Sequence, residues 1–111
     1  MDNSGNFTAA ANITAYSDIR LKVNIHPIQS ALATVMQMQG VSYERKSDGE
    51  KKIGFVAQDL QNVLPEVVIK NHDGMLSVDY GNIVALLTEA IKEQQNQIDK
   101  LKEELTSLKQ G

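Results

Sequence analysis

The chain has 111 residues, eleven basic against fourteen acidic side chains for a net charge of −3, and no cysteine. That length suits one domain or less. The mild acidity argues against nucleic acid or an anionic membrane as the main partner, and the missing thiols exclude disulfides, thiol chemistry and thiolate metal sites.

A chain this short buries a modest core and often borrows stability from oligomerisation. No apolar run approaches the roughly 18 residues of a membrane span, and no signal peptide is visible, so a soluble chain is expected. Residues 1–16 are small and polar, with Gly5 and four alanines. Phe7, Ile13 and Tyr16 are too few for a core, which predicts weak extended structure or disorder if the segment stands alone. Asn12-Ile13-Thr14 matches a glycosylation sequon, but nothing else suggests a secretory route.

Ser17-Asp18-Ile19-Arg20-Leu21-Lys22 puts a hydroxyl five residues ahead of an amine, with a carboxylate and a guanidinium between. His26-Pro27 follows, and Pro27 suits the first turn of a helix. Ile28, Leu32, Val35 and Met36 recur at helical spacing until Gly40, which predicts a short amphipathic helix capped by that glycine. Residues 41–46 alternate and read as a strand, 47–50 as a turn and 52–56 as the returning strand. A short helix over 57–63 stops at Leu64-Pro65. Residues 66–70, the turn 71–74 and residues 75–78 form a second hairpin.

From Asp79 the pattern changes. Val84, Leu87, Ile91, Gln94, Ile98, Leu101, Leu105 and Leu108 are spaced 3, 4, 3, 4, 3, 4 and 3 residues apart. That is a heptad register with Val84, Ile91, Ile98 and Leu105 at a and the others at d. Glu104 at g and Lys109 at the following e are opposite in sign, which suits parallel association. Ile at a with Leu at d leans towards two strands, and Gln94 is a polar layer that fixes register. The expectation is an α+β body of hairpins and short helices, followed by a long helix in a parallel coiled coil of open strand number.

A serine attacks only when a base takes its proton. The two histidines occupy a pre-proline position and a turn, and a lysine can serve if it is neutral. Roughly one free lysine in 2,500 is neutral at pH 7, a fraction that burial and a neighbouring cation raise. Arg20 is close enough to be that cation, to hold an oxyanion or to pair with Asp18. Asp18 suits the orientation of backbone amides better than acid–base work. On spacing alone, such a stretch is ordinarily a solvated loop. His26 and His72 read as structural or surface groups. Asp59, Glu66 and Asp79 lack ligand spacing, so neither a metal nor another cofactor is expected.

Residues 13–22, ITAYSDIRLK, resemble the junction in bacteriophage tail-fibre and tailspike proteins that end in the peptidase S74 domain, an intramolecular chaperone and auto-processing domain. Further matches are Pro27-Ile28 with Ala31-Leu32, Gly40-Val41-Ser42-Tyr43, residues 53–60 (IGFVAQDL), residues 64–68 (LPEVV), Val78-Asp79-Tyr80 and the terminal heptads. The resemblance runs from Ser17 to about Lys109, with no departure from the Ser-Asp-x-Arg-x-Lys pattern.

It implies a homotrimer that brings three fibre chains into register, lets the upstream fibre fold and then cuts itself free before the serine. On that reading the scissile bond joins Tyr16 to Ser17, Ser17 is the nucleophile and Lys22 the general base. Asp18 and Arg20 match the motif without an assigned step. Residues 1–16 become the end of the fibre, 17–80 the chaperone body and 81–111 the coiled-coil helix. Assembly takes place in the host bacterial cytoplasm, with the fibre in the virion tail and the chaperone released. The competing expectation is a trimerisation module with an inert dyad. A protease acting in trans fits less well, because so short a chain suggests no substrate groove.

Overall fold

A computed structural model describes residues 16–110. The sequon and the segment expected to be extended or disordered therefore lie, except for Tyr16, outside the described residues. After a 3-10 turn at Ile19–Leu21 come helix α1 (Ala31–Gln37), strands β1 (Val41–Glu44) and β2 (Lys51–Gly54), and helix α2 (Ala57–Gln61). A second 3-10 turn (Pro65–Val67), strands β3 (Val68–Lys70) and β4 (Leu76–Val78), and helix α3 (Tyr80–Gln110) complete the order. The architecture is α+β: short helices, two separate antiparallel hairpins and one long C-terminal helix.

The hairpins close through one device. Asp48 accepts the Glu50 N–H and Asp73 accepts the Met75 N–H, side chain to backbone two residues on. Gly49 and Gly74 supply the left-handed φ of +70° and +85° that each reversal requires. Arg45 adds a two-pronged bond to Asp48 across the first tip.

Helix α1 is shorter than its apolar spacing predicts. Pro27 and Ile28 stand outside it, because Ser30 takes a left-handed φ of 54° and its carbonyl receives the first helical N–H, from Thr34. The Ala31 N–H is taken by the Glu93 carboxylate of α3 at 2.6 Å. Gly40 is not the cap either: Met38 already turns extended and ends the helix.

The core is small and sits where α3 meets everything else. Ala31, Leu86 and Ala90 form one buried cluster, joined by Leu32, Val35, Met38 and Leu64. Leu60, Val67 and Ile83 form the other, joined by Met38, Phe55, Leu64, Val68 and Val78. Alanine on both α1 and α3 lets those helices approach closely. At the start of α3 the Tyr80 hydroxyl accepts the Phe55 N–H at 3.2 Å, and the two rings stack with centroids 5.9 Å apart. Gly54 makes that possible, since a Cβ there would stand 2.6 Å from the Tyr80 oxygen.

Helix α3 carries two apolar stripes. The one facing the body is Ile83, Leu86 and Ala90, continued by the half-buried Glu93. Each of these residues immediately precedes an a or d residue, so the stripes lie about 100° apart around the helix. The heptad reading gives the helix a seam for parallel association; the shifted stripe gives it a partner within the chain as well. The a/d seam stays open: Val84, Ile91 and Leu108 are 61%, 64% and 77% exposed. Beyond Glu93 the residues of α3 are exposed.

Candidate functional site

Six residues build the site around one turn of 3-10 helix. Asp18, extended at φ −65° and ψ 137°, caps it: its carboxylate accepts the Arg20 N–H at 2.9 Å and its carbonyl accepts the Leu21 N–H at 3.0 Å. The Lys22 N–H donates to the Ile19 carbonyl at 3.1 Å, and Lys22 leaves the turn extended. The turn thus brings its two flanking residues back towards each other. Lys22 Nζ lies 2.7 Å from Ser17 Oγ.

Arg20 does not face the hydroxyl. Its Nε and one terminal nitrogen donate to the two Asp18 oxygens at 3.1 and 2.8 Å. The guanidinium hydrogen bonds, with the backbone N–H second, hold the Asp18 carboxyl below its ordinary pKa, and the carboxylate in return holds Arg20 above its own. Of the roles open to Arg20 in sequence, the geometry has it paired with Asp18.

All of this stands in solvent. Tyr16 is 96% exposed, and Ser17, Lys22, Ile19, Leu21, Val23 and Ile25 are exposed with it. Asn24 takes a left-handed φ of 53°, which short polar side chains tolerate. The following segment runs against α3, where His26, Pro27 and Ile28 line a groove with Ala85, Thr88, Glu89 and Lys92. His26 therefore sits beside the long helix, and His72 sits in the β3–β4 turn. Asp59 lies in the first turn of α2, Glu66 in the second 3-10 turn and Asp79 just ahead of α3. Among the described residues no cluster of three His, Asp or Glu side chains could hold a metal ion.

Chemically, the dyad contact can move one proton. A charged amine donates to the hydroxyl oxygen; a neutral one in the same place accepts the hydroxyl proton and leaves an alkoxide. The peptide bond on the N-terminal side of that serine carries the carbonyl of Tyr16. Sequence reading misses the Glu93 bond to Ala31 and the Tyr80 bond to Phe55. Both join residues far apart in the chain, and no local signal marks them.

A family model described as Chaperone of endosialidase, Peptidase_S74, matches residues 17–69. The chain is similar to the long tail fiber protein Gp37 of Enterobacteria phage K3 and that of Enterobacteria phage T2. Each is 39% identical over 105 residues, which cover 86% of this chain and 8% of the relative. Gp37 of Enterobacteria phage Ox2 is 33% identical over 109 residues, covering 89% of this chain and 42% of the relative. The chain thus spans less than a tenth of the length of the K3 and T2 proteins.

Proposed function

Residues 17–69 belong to the peptidase S74 family, chaperone of endosialidase, and from that premise we propose that this chain is the self-releasing folding aid of a phage tail fibre. It gathers three copies through the a/d seam of α3, registers the fibre segments that precede it, and then cuts the bond between Tyr16 and Ser17. Residues 1–16 are the end of the fibre, 17–80 the body and 81–111 the coiled-coil helix, whose first turns also complete the body's core. Assembly occurs in the cytoplasm of the host bacterium, and the fibre goes on to the virion tail.

The approach of Lys22 Nζ to Ser17 Oγ, 2.7 Å, carries the catalytic half of this reading. Neutral Lys22 takes the hydroxyl proton while Oγ adds to the Tyr16 carbonyl carbon. The C–N bond then breaks, and the proton passes from Lys22 to the departing nitrogen, which becomes the α-amine of Ser17. The acyl group is left as an ester on Oγ, and water hydrolyses it to a Tyr16 carboxylate and a free Ser17 hydroxyl. Nucleophile and carbonyl lie on either side of one peptide bond, so proximity supplies much of the rate and no substrate groove is needed. Burial by neighbouring chains favours an uncharged amine, and the exposed Ile19, Leu21, Val23 and Ile25 beside the dyad offer such neighbours an apolar surface.

Physics favours the division of labour. Fibre structure wound from several chains relies on distant contacts, so nucleation is slow and register errors arise easily. A coiled coil raises the local concentration of the three strand ends. Losing it after folding leaves the fibre held kinetically.

The test is intact mass on the chain with its fibre upstream. Wild type is expected to yield a fragment beginning at Ser17, and Ser17→Ala and Lys22→Ala to stay whole. All three at the same uncut mass would leave the second reading, a trimerisation module with an inert dyad, which the solvent exposure of Ser17 and Lys22 favours.

A further inference from the structure

We infer that Asp18 and Arg20 are positioning residues, a clasp that keeps the 3-10 turn closed so that Lys22 stays on Ser17. The inference rests on the self-cleavage reading above.

A single 3-10 turn of three residues, Ile19–Leu21, is a marginal structure. This one buries no residue, so packing does not hold it. What holds it is Asp18. One carboxylate oxygen takes the Arg20 backbone N–H at 2.9 Å and Arg20 Nε at 3.1 Å, and the other takes the terminal nitrogen at 2.8 Å. The backbone of the turn and the side chain of its middle residue are thus fixed to one group. The two remaining turn bonds, Leu21 to Asp18 and Lys22 to Ile19, set the direction in which Lys22 leaves. If the clasp opens, the five-residue separation of Ser17 and Lys22 is no longer spanned by a closed turn.

The same contacts exclude the two other roles these residues invite. An arginine whose Nε and terminal nitrogen both point at a carboxylate does not turn that edge of its fork to an oxyanion. A carboxylate engaged by three N–H groups, with its pKa held low, is poorly suited to accept a proton from serine. Arg45 and Asp48 repeat the two-pronged pairing at the β1–β2 tip, so the chain uses this device to close a turn where no chemistry is expected.

Exposed pairs contribute modestly, so the clasp tunes the fraction of molecules in reactive geometry and does not decide an all-or-none outcome. The experiment has two arms, each on the full chain with its fibre.

In the first, the cleavage rate is followed for wild type, Ser17→Ala, Asp18→Ala, Arg20→Ala, Arg20→Lys and the Asp18→Ala/Arg20→Ala double variant. Each alanine variant is expected to slow cleavage by roughly threefold to tenfold. The double is expected to be no slower than the worse single, Arg20→Lys to recover part of the loss, and the pH profile to keep its shape. Multiplying losses, or a pH limb that vanishes in Asp18→Ala, would overturn the clasp.

The second arm needs no cleavage. Ser17→Cys introduces the chain's only thiol, whose alkylation by iodoacetamide is faster when an ammonium lies beside it. That acceleration, measured against Ser17→Cys/Lys22→Ala, is expected to fall when Asp18→Ala or Arg20→Ala is added. Equal alkylation with and without the clasp would refute it. If wild type and Ser17→Ala both stay uncut, self-cleavage fails, and alkylation alone still decides whether the clasp positions Lys22.

Discussion

The Glu93 carboxylate accepts the Ala31 N–H at 2.6 Å across 62 residues of chain. One side chain of the long helix thus caps the short helix that follows the dyad segment. It does so where the buried stripe of α3 ends, and the helix residues beyond it are exposed. An N-terminal helical N–H needs an acceptor, and here no side chain local to α1 provides it.

Glu93→Ala removes that acceptor from a partly buried place. The expected loss is about 1–2 kcal/mol of unfolding free energy, and Glu93→Gln, which still offers an oxygen, is expected to lose less. Urea unfolding at fixed chain concentration measures both. Equal stability of Glu93→Ala and the parent would show that water replaces the carboxylate without cost.

Gly54→Ala drives a methyl group against the Tyr80 hydroxyl, which sits 2.6 Å from the site of the new Cβ. Overpacking of this kind costs about 1–3 kcal/mol. Tyr80→Phe alone loses the bond from Phe55. Combined with Gly54→Ala it also removes the atom in the way, so the pair is expected to cost less than the sum of the singles. Thermal melts of the four proteins in that cycle give the coupling, and simple additivity would contradict the contact.

The two stripes of α3 predict separable failures. Ile98→Lys and Leu101→Lys lie on the open seam beyond the body, so light scattering is expected to show lost association while far-UV circular dichroism retains the hairpins. Leu86→Ala, in the buried stripe, is expected to destabilise the body by about 2–4 kcal/mol. A seam variant that unfolded the body would show that the stripes are not independent, and one that left association intact would show that the seam is not the associating surface.

Acid titration should find two carboxyls out of line. Arg20 holds Asp18, and Arg45 holds Asp48, below the usual carboxylate range, each chiefly through side-chain hydrogen bonds. A folded pKa depressed below the unfolded value of about 3.9 gives stability that is fully present above that value. It is lost as pH falls through the lower folded value. Carboxyl carbon shifts in NMR are therefore expected to titrate late for both residues. Arg20→Ala should raise Asp18 alone, with only the backbone N–H at position 20 left to hold it down, and an ordinary midpoint for Asp18 in the parent would count against the clasp.

Much of the architecture was legible from order and period. Asp48-Gly49 and Asp73-Gly74 announce reversals because only a few residue types tolerate the backbone they need, and both hairpins fall around them. The long helix follows from its heptads. The start of α1 was not legible: Pro27 suits a first turn locally, but the chain delays the helix to Ala31, where Glu93 waits to cap it. The inner stripe of α3 was also hidden. Ile83, Leu86 and Ala90 stand one residue ahead of a stronger pattern that masks them.

Residue types and spacing by themselves determined the α+β sequence of elements, the open seam on α3 and the pairing of a hydroxyl with an amine five positions on. Those depend on local backbone preference and periodicity, which a linear chain displays. Only the tertiary structure decided which face of α3 the body occupies, that Arg20 turns to Asp18, and that Glu93 and Tyr80 fasten the long helix to the rest. Those outcomes depend on groups brought together from far along the chain, or on a choice among partners equally near in sequence. Geometry makes that choice, and spacing does not.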